Sequence, residues 1–292
     1  DTGENIRIDH ALGLVDPYIY KKSSVFISNG YLDRGRFYAN NISKIPNMDP
    51  NGNYQKILEK ILLPILKRHN INPNSAVWED LGTSTDTFSR IYYNKLKLPG
   101  ITQLEWARGE RSPRNNTALV GSHDSEPAIK MIQKDWVRNH NAWNIDYLAG
   151  YLNCDPARAK EREEFKQKII KNPAEQVKAK FIELFTTSKN IQISFADFFG
   201  ISETYNMGGK ALKENWKLRL NKNYEDTYYK NLESDNPTAL NMPEILRHAV
   251  QAKMDLEVVQ DGVQNPDDTV LNRNSLNREM APLLKTLKTV SY

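Results

Sequence analysis

Ile6-Arg7-Ile8-Asp9 reads as a short strand that stops on an acid, and the same kind of segment recurs four more times along the chain. The others are Ala76-Val77-Trp78-Glu79, Ile101-Thr102-Gln103-Leu104, Ala118-Leu119-Val120-Gly121 and Ile191-Gln192-Ile193-Ser194-Phe195. Each is a brief, largely apolar run that gives way to polar, chemically able side chains. Helical stretches separate several of them, and strands that alternate with helices predict parallel βα units, an α/β fold.

The clearest helix is expected between about Asn53 and His69. Ile57, Leu58, Ile61, Leu62, Ile65 and Leu66 recur there at three- and four-residue spacing and leave Lys56, Glu59, Lys60 and Lys67 to solvent. Pro64 should kink it or end its regular part. A second helix is expected after Ser84, which offers a cap oxygen, and should run to about Leu96. Between about 135 and 188 lies a charged, mainly helical insertion with no strand signal. Its run from Ala157 to Lys171 reads as a solvated helix face. A helix is expected from Pro243 to about Gln260 and another over 280–289, giving a C-terminal helical extension over 226–292.

At 292 residues the chain can bury a sizeable core. Its 40 basic and 36 acidic residues are interspersed, and a net charge of +4 does not suggest a nucleic-acid partner. The densest basic interval, Arg108 to Arg114, reads as a solvated loop. Apolar runs such as Ile61-Leu62-Leu63-Pro64-Ile65-Leu66 are too short to span a bilayer, so no membrane partner is expected. The single cysteine, Cys154, excludes an intrachain disulfide and fits a reducing, cytoplasmic setting. The five histidines lack metal-ligand spacing, and neither a metal nor an organic cofactor is expected.

Three acids stand at strand ends: Asp9, Glu79 and Asp124. In a barrel of parallel strands the C-terminal strand ends converge on one face, so acids far apart in sequence can meet there. Their contexts are Arg7-Ile8-Asp9-His10, Glu79-Asp80-Leu81-Gly82 and Gly121-Ser122-His123-Asp124, with Leu98-Pro99-Gly100 between the second and third. That ordered set resembles the amylomaltase (4-α-glucanotransferase) family, related to the α-amylase superfamily of (β/α)8 barrels. The resemblance covers about Asn5 to Arg219, including Asn215-Trp216-Lys217-Leu218-Arg219. The sequence departs from the family pattern at Ala11-Leu12-Gly13 and at Tyr205-Asn206-Met207-Gly208-Gly209.

The resemblance implies that Asp9 is the nucleophile, Glu79 the general acid/base and Asp124 the acid that stabilises the distorted sugar. Retaining glycoside cleavage uses such types: one carboxylate attacks the anomeric carbon and a second carboxyl protonates the leaving oxygen. Arg7 should hold Asp9 ionised from the same side of the strand, and apolar Val77 and Trp78 should favour a proton on Glu79. His10, His123, Trp106, Asn215 and Trp216 are the further candidates for sugar contact, although core packing is an equal reading of Trp216.

The implied partners are an α-1,4-glucan donor and a maltooligosaccharide or glucose acceptor. Alternatives are a glucan hydrolase of the same superfamily and a non-catalytic glucan-binding protein. If Arg7-Ile8-Asp9 is the fourth barrel strand, residues 1–225 supply strands four to eight. Five strands cannot close a barrel, so an N-terminal part of the same protein is expected to complete it.

Overall fold

The computed structural model describes residues 6–19, 22, 36–37, 52–80, 85–105, 116–134, 143–208, 212–264, 278, 281–287 and 289. The architecture is mixed α/β and mainly helical, with short strands. β1 (Arg7–Ile8) pairs in parallel with β4 (Val77–Trp78), with Arg7 opposite Val77 and Ile8 opposite Trp78. β2 (Tyr18–Ile19) and β3 (Arg36–Phe37) form an antiparallel pair that the sequence pattern does not announce. β5 (Ile101–Gln103), β6 (Thr117–Leu119) and β7 (Asn190–Ile191) make a three-stranded sheet in that order. Among the described residues these sheets do not join into a barrel. β1 and β4 are thus parallel neighbours, and barrel closure is not seen among the described residues.

The chain divides into two compact units, Asp1–Thr102 with Ser112–Thr117, and Gln103–Arg111 with Ala118–Tyr292. In the first, the helix expected over 53–69 forms as α1 (Asn53–Ile57), a π-helical stretch Leu58–Leu62 and α2 (Leu63–Arg68). Proline has no N–H to give the carbonyl four residues back, and the wider π spacing falls just ahead of Pro64. Only part of the apolar stripe is buried. Leu58 and Leu66 are in the core with Leu62 packed against it, whereas Ile57, Ile61 and Ile65 stay largely exposed.

The next helix, α3 (Asp86–Ser89), continues as a π-helical stretch Arg90–Lys95. Its cap is Thr85, whose hydroxyl accepts the N–H of Phe88; the expected cap, Ser84, lies outside the described residues. Three aromatic rings meet within the otherwise aliphatic core of this unit. Trp78, fully buried, donates from Nε1 to the Pro73 carbonyl and meets Tyr92 edge-on at 5.6 Å, and Phe88 stacks on Tyr92 at 4.3 Å. Trp78 is the residue before Glu79, so this packing fixes where β4 ends.

The second unit is built on helices: α4 (Ala128–Met131), α5 (Ile145–Leu152), α6 (Ala159–Lys171), α7 (Pro173–Thr187), α8 (Phe195–Phe198), α9 (Tyr224–Leu232) and α10 (Met242–Gln264). α6 shows the solvated face expected of its charges, with Ile169 buried beneath. α7 does not. It is the centre of the unit, covered by α10, α6 and α5, and it buries Val177, Phe181, Ile182 and Leu184.

Its charges are hidden by pairing. Lys180 and Glu183 are both fully buried and joined at 2.6 Å, with Tyr147 Oη donating to Glu183 as well. Buried charge is tolerated only when matched in this way. Among the described residues no helix is long and apolar enough to cross a membrane.

Candidate active site

The ends of β1 and β4 carry the first pair of acids. Parallel pairing brings both strands to the same end together: the N–H of Glu79 donates to the Ile8 carbonyl at 3.0 Å, and that of Ala11 to the Glu79 carbonyl at 2.9 Å. The chain turns sharply in between. His10 adopts φ 45° and ψ 54°, a left-handed conformation that costs free energy for a residue with a Cβ. The turn aims the His10 N–H at Glu79 Oε2, 2.9 Å away.

Arg7 completes this cluster. One guanidinium nitrogen lies 2.9 Å from Glu79 Oε1 and 3.8 Å from Asp9 Oδ1. Arg7 thus sits closer to Glu79 than to Asp9, the partner expected for it. Two oxygens within reach of one nitrogen are at most about 7 Å apart, which accommodates the ~5–5.5 Å carboxyl separation of retaining glycosidases. The two acids differ in environment: Glu79 is buried and Asp9 is open to solvent.

Asp80, beside Glu79, has a structural task. Its Oδ1 accepts the N–H of Ile101 at 2.9 Å and so ties β4 to the start of β5. Burial pushes its carboxyl up to about 6. The Pro99-Gly100 turn passes so close that a Cβ on Gly100 would stand 2.6 Å from Tyr93 Oη and 3.1 Å from Asp80 Oδ2. A side chain there would force the Tyr93 ring or the Asp80 carboxylate to move.

The second unit carries Asp124 after β6. His123 Nε2 lies 3.3 Å from Asp124 Oδ1, and the Asn206 side-chain amide donates to the same oxygen at 2.5 Å. Gly208 crosses Asp124 so closely that a Cβ would meet its Cβ at 3.3 Å. Asn206 and Gly208, within the stretch that departs from the expected pattern, therefore hold Asp124.

Trp216 is 49% exposed, which excludes core packing as its role. Its ring lies 5.7 Å from His123 and 5.2 Å from Tyr205, and its backbone is left-handed at φ 66°. That strain is held by its N–H donating to the Tyr205 carbonyl and by Arg219 donating to the Trp216 carbonyl. Asn215 accepts the N–H of Met207 at 3.2 Å, a loop-fixing contact. Trp106 lies outside the described residues.

Asn206 and Glu105 were not among the candidates read from the sequence. Glu105 closely follows β5, as Asp9 follows β1 and Glu79 follows β4, and burial pushes its carboxyl up to about 7. The strand-end rule would have found Glu105. Nothing local marks Asn206, whose partner is 82 positions away.

The sequence profile of the 4-alpha-glucanotransferase family matches residues 2–224. No curated protein matches the chain. Among solved structures, it is similar to amylomaltase from Corynebacterium glutamicum, with a TM-score of 0.50 and 17% identity over 86% of this chain and 35% of that one. It is also similar to amylomaltase from Streptococcus agalactiae in complex with acarbose, with a TM-score of 0.43 and 16% identity over 77% of this chain and 40% of that one. The chain thus spans well under half the length of either.

Proposed function

Because this chain belongs to the 4-alpha-glucanotransferase family, we propose that its acids cleave and transfer α-1,4-glucan by a retaining double displacement. The observation that carries this reading is the single Arg7 nitrogen shared by Asp9 and Glu79 at adjacent parallel strand ends. Asp9 Oδ attacks the anomeric carbon while Glu79 protonates the departing glycosidic oxygen, leaving a glucosyl ester on Asp9. An acceptor hydroxyl, deprotonated by Glu79, then displaces Asp9 and regenerates both groups. Asp124, oriented by His123 and Asn206, offers negative charge to the oxocarbenium-like transition state. Trp216, with His123 beside it, offers a sugar-stacking surface.

In this reading β1, β4, β5, β6 and β7 are strands four to eight of a (β/α)8 barrel, completed by polypeptide outside this chain. The test uses the intact enzyme and maltotriose. Longer oligomers should form with the wild type, and Asp9→Asn or Glu79→Gln should reduce their formation by orders of magnitude. Near-wild-type turnover by either variant sinks the assignment. Products that are only shorter than the substrate mean hydrolysis instead of transfer.

A further inference from the structure

A cavity of about 300 Å³ opens in the second unit between α5, α6 and α10. None of its lining residues belongs to the Asp9–Glu79 pair or to the Asp124 cluster. Its volume is at the small end of the ~300–1,000 Å³ typical of ligand pockets. Phe165 lies against the ring of His248 on one wall, and Leu152 and Ile182 supply apolar lining.

The polar groups show what the cavity can hold. Asn153 and Gln251 each spend one amide hydrogen on the protein, on the Ala149 carbonyl and on Asp255 Oδ1, which leaves each a second N–H and a side-chain oxygen, a donor and an acceptor. Glu161 and Glu164, exposed on α6, add acceptors only. Lys168 is a donor, and Arg247 has N–H groups beyond the one that meets His248 Nε2 at 3.0 Å. Arg158 is committed to Asp255 at 2.8 Å. An inorganic anion would be repelled by the carboxylates of Glu161 and Glu164 on the same lining. A hydroxyl both donates and accepts, and a ring of hydroxyls matches this mixture.

We propose that this cavity binds a small neutral saccharide of one or two rings, separately from the acid site. Burial, and then Arg247 beside it, lower the His248 pKa to about 4, so the ring adds no charge near neutrality. The proposal does not rest on turnover, so its fate and that of the glucanotransferase reading are separable.

The experiment is a titration of the isotope-labelled protein with maltose, following the side-chain amide resonances of Asn153 and Gln251 and the ring of His248. These should shift together and saturate, with a dissociation constant on the order of 1 mM. Glu164→Gln and Arg247→Leu should each weaken binding about tenfold, while Asp124→Asn leaves it unchanged. Glu164 is exposed, so its variant carries the test even if Arg247→Leu fails to fold. Three outcomes overturn the proposal: no saturable shift at these residues, shifts confined to the surroundings of His123 and Trp216, or the same shifts produced by inorganic phosphate but not by maltose.

Discussion

The side-chain amide of Asn206 donates a hydrogen bond to Asp124 Oδ1, and Asn206 is itself buried while Asp124 is open on its other side. A carboxylate gripped from one side keeps one orientation. In the proposed reaction Asn206→Leu should therefore lower turnover of the intact enzyme by about 10²-fold, the cost of small misplacement in a reacting group. Asn206→Asp should be worse, since two carboxylates would then share the site. Maltotriose kinetics on both variants, beside their melting curves, separate lost orientation from lost folding.

Trp216 should reveal its strain when replaced. Glycine adopts φ 66° freely and a β-branched residue does not. Both Trp216→Gly and Trp216→Val lose the same ring contacts, so their difference reports the backbone. The glycine variant should be the more stable by about 1–2 kcal/mol in chemical unfolding. Equal stability would mean that the left-handed turn costs nothing here.

The buried Lys180–Glu183 pair makes a sharper claim. Lys180→Met alone leaves Glu183 buried without its cation and should cost about 3–5 kcal/mol. The double change Lys180→Met with Glu183→Leu should recover most of that loss, because the desolvation of both charges disappears together. Urea unfolding of the two variants and the wild type checks the order.

Asp197 gives a pH dependence with a definite sign. Burial raises its carboxyl to about 6 from an ordinary 3.8, although Oδ1 accepts the N–H of Ala128 at 2.7 Å. The folded state holds this proton more tightly, so its contribution is full below about pH 3.8 and is lost as pH rises through 6. Asp197→Asn keeps an oxygen for Ala128 and removes the titration. Relative to wild type, the variant should gain about 2 kcal/mol between pH 4 and pH 8. His248 acts oppositely in the same window, favouring the fold as pH rises, and cancels in the comparison. Melting curves at the two pH values decide it.

The strand-end acids were legible because an apolar run followed by an acid is a local pattern, and parallel pairing of Arg7 and Val77 obeys it. The helix over 53–68 was legible too, but its periodicity does not say which row faces inward. Leu58, Leu62 and Leu66 took the core and Ile57, Ile61 and Ile65 did not. α7 lay inside the charged insertion, and the sequence did not single out its buried faces. Lys178, Lys180 and Glu183 look like surface residues until their partners are known, and the partners of Lys178 include Glu244 on another helix. The grip of Asn206 on Asp124 depends on a long-range loop path, which no window of sequence contains.

The His10–Glu79 contact closes a loop of 69 positions, whereas α6 and α7 are joined at Asn172, which ends the first and caps the second. Closing the long loop must precede any reward from the contact, so such pairings form slowly. Helix forms fast and locally. During refolding, far-ultraviolet ellipticity should return well before the Asp9–Glu79 pair is assembled. The same order in a cell would leave a newly made chain folded in outline for a time before its two acids met.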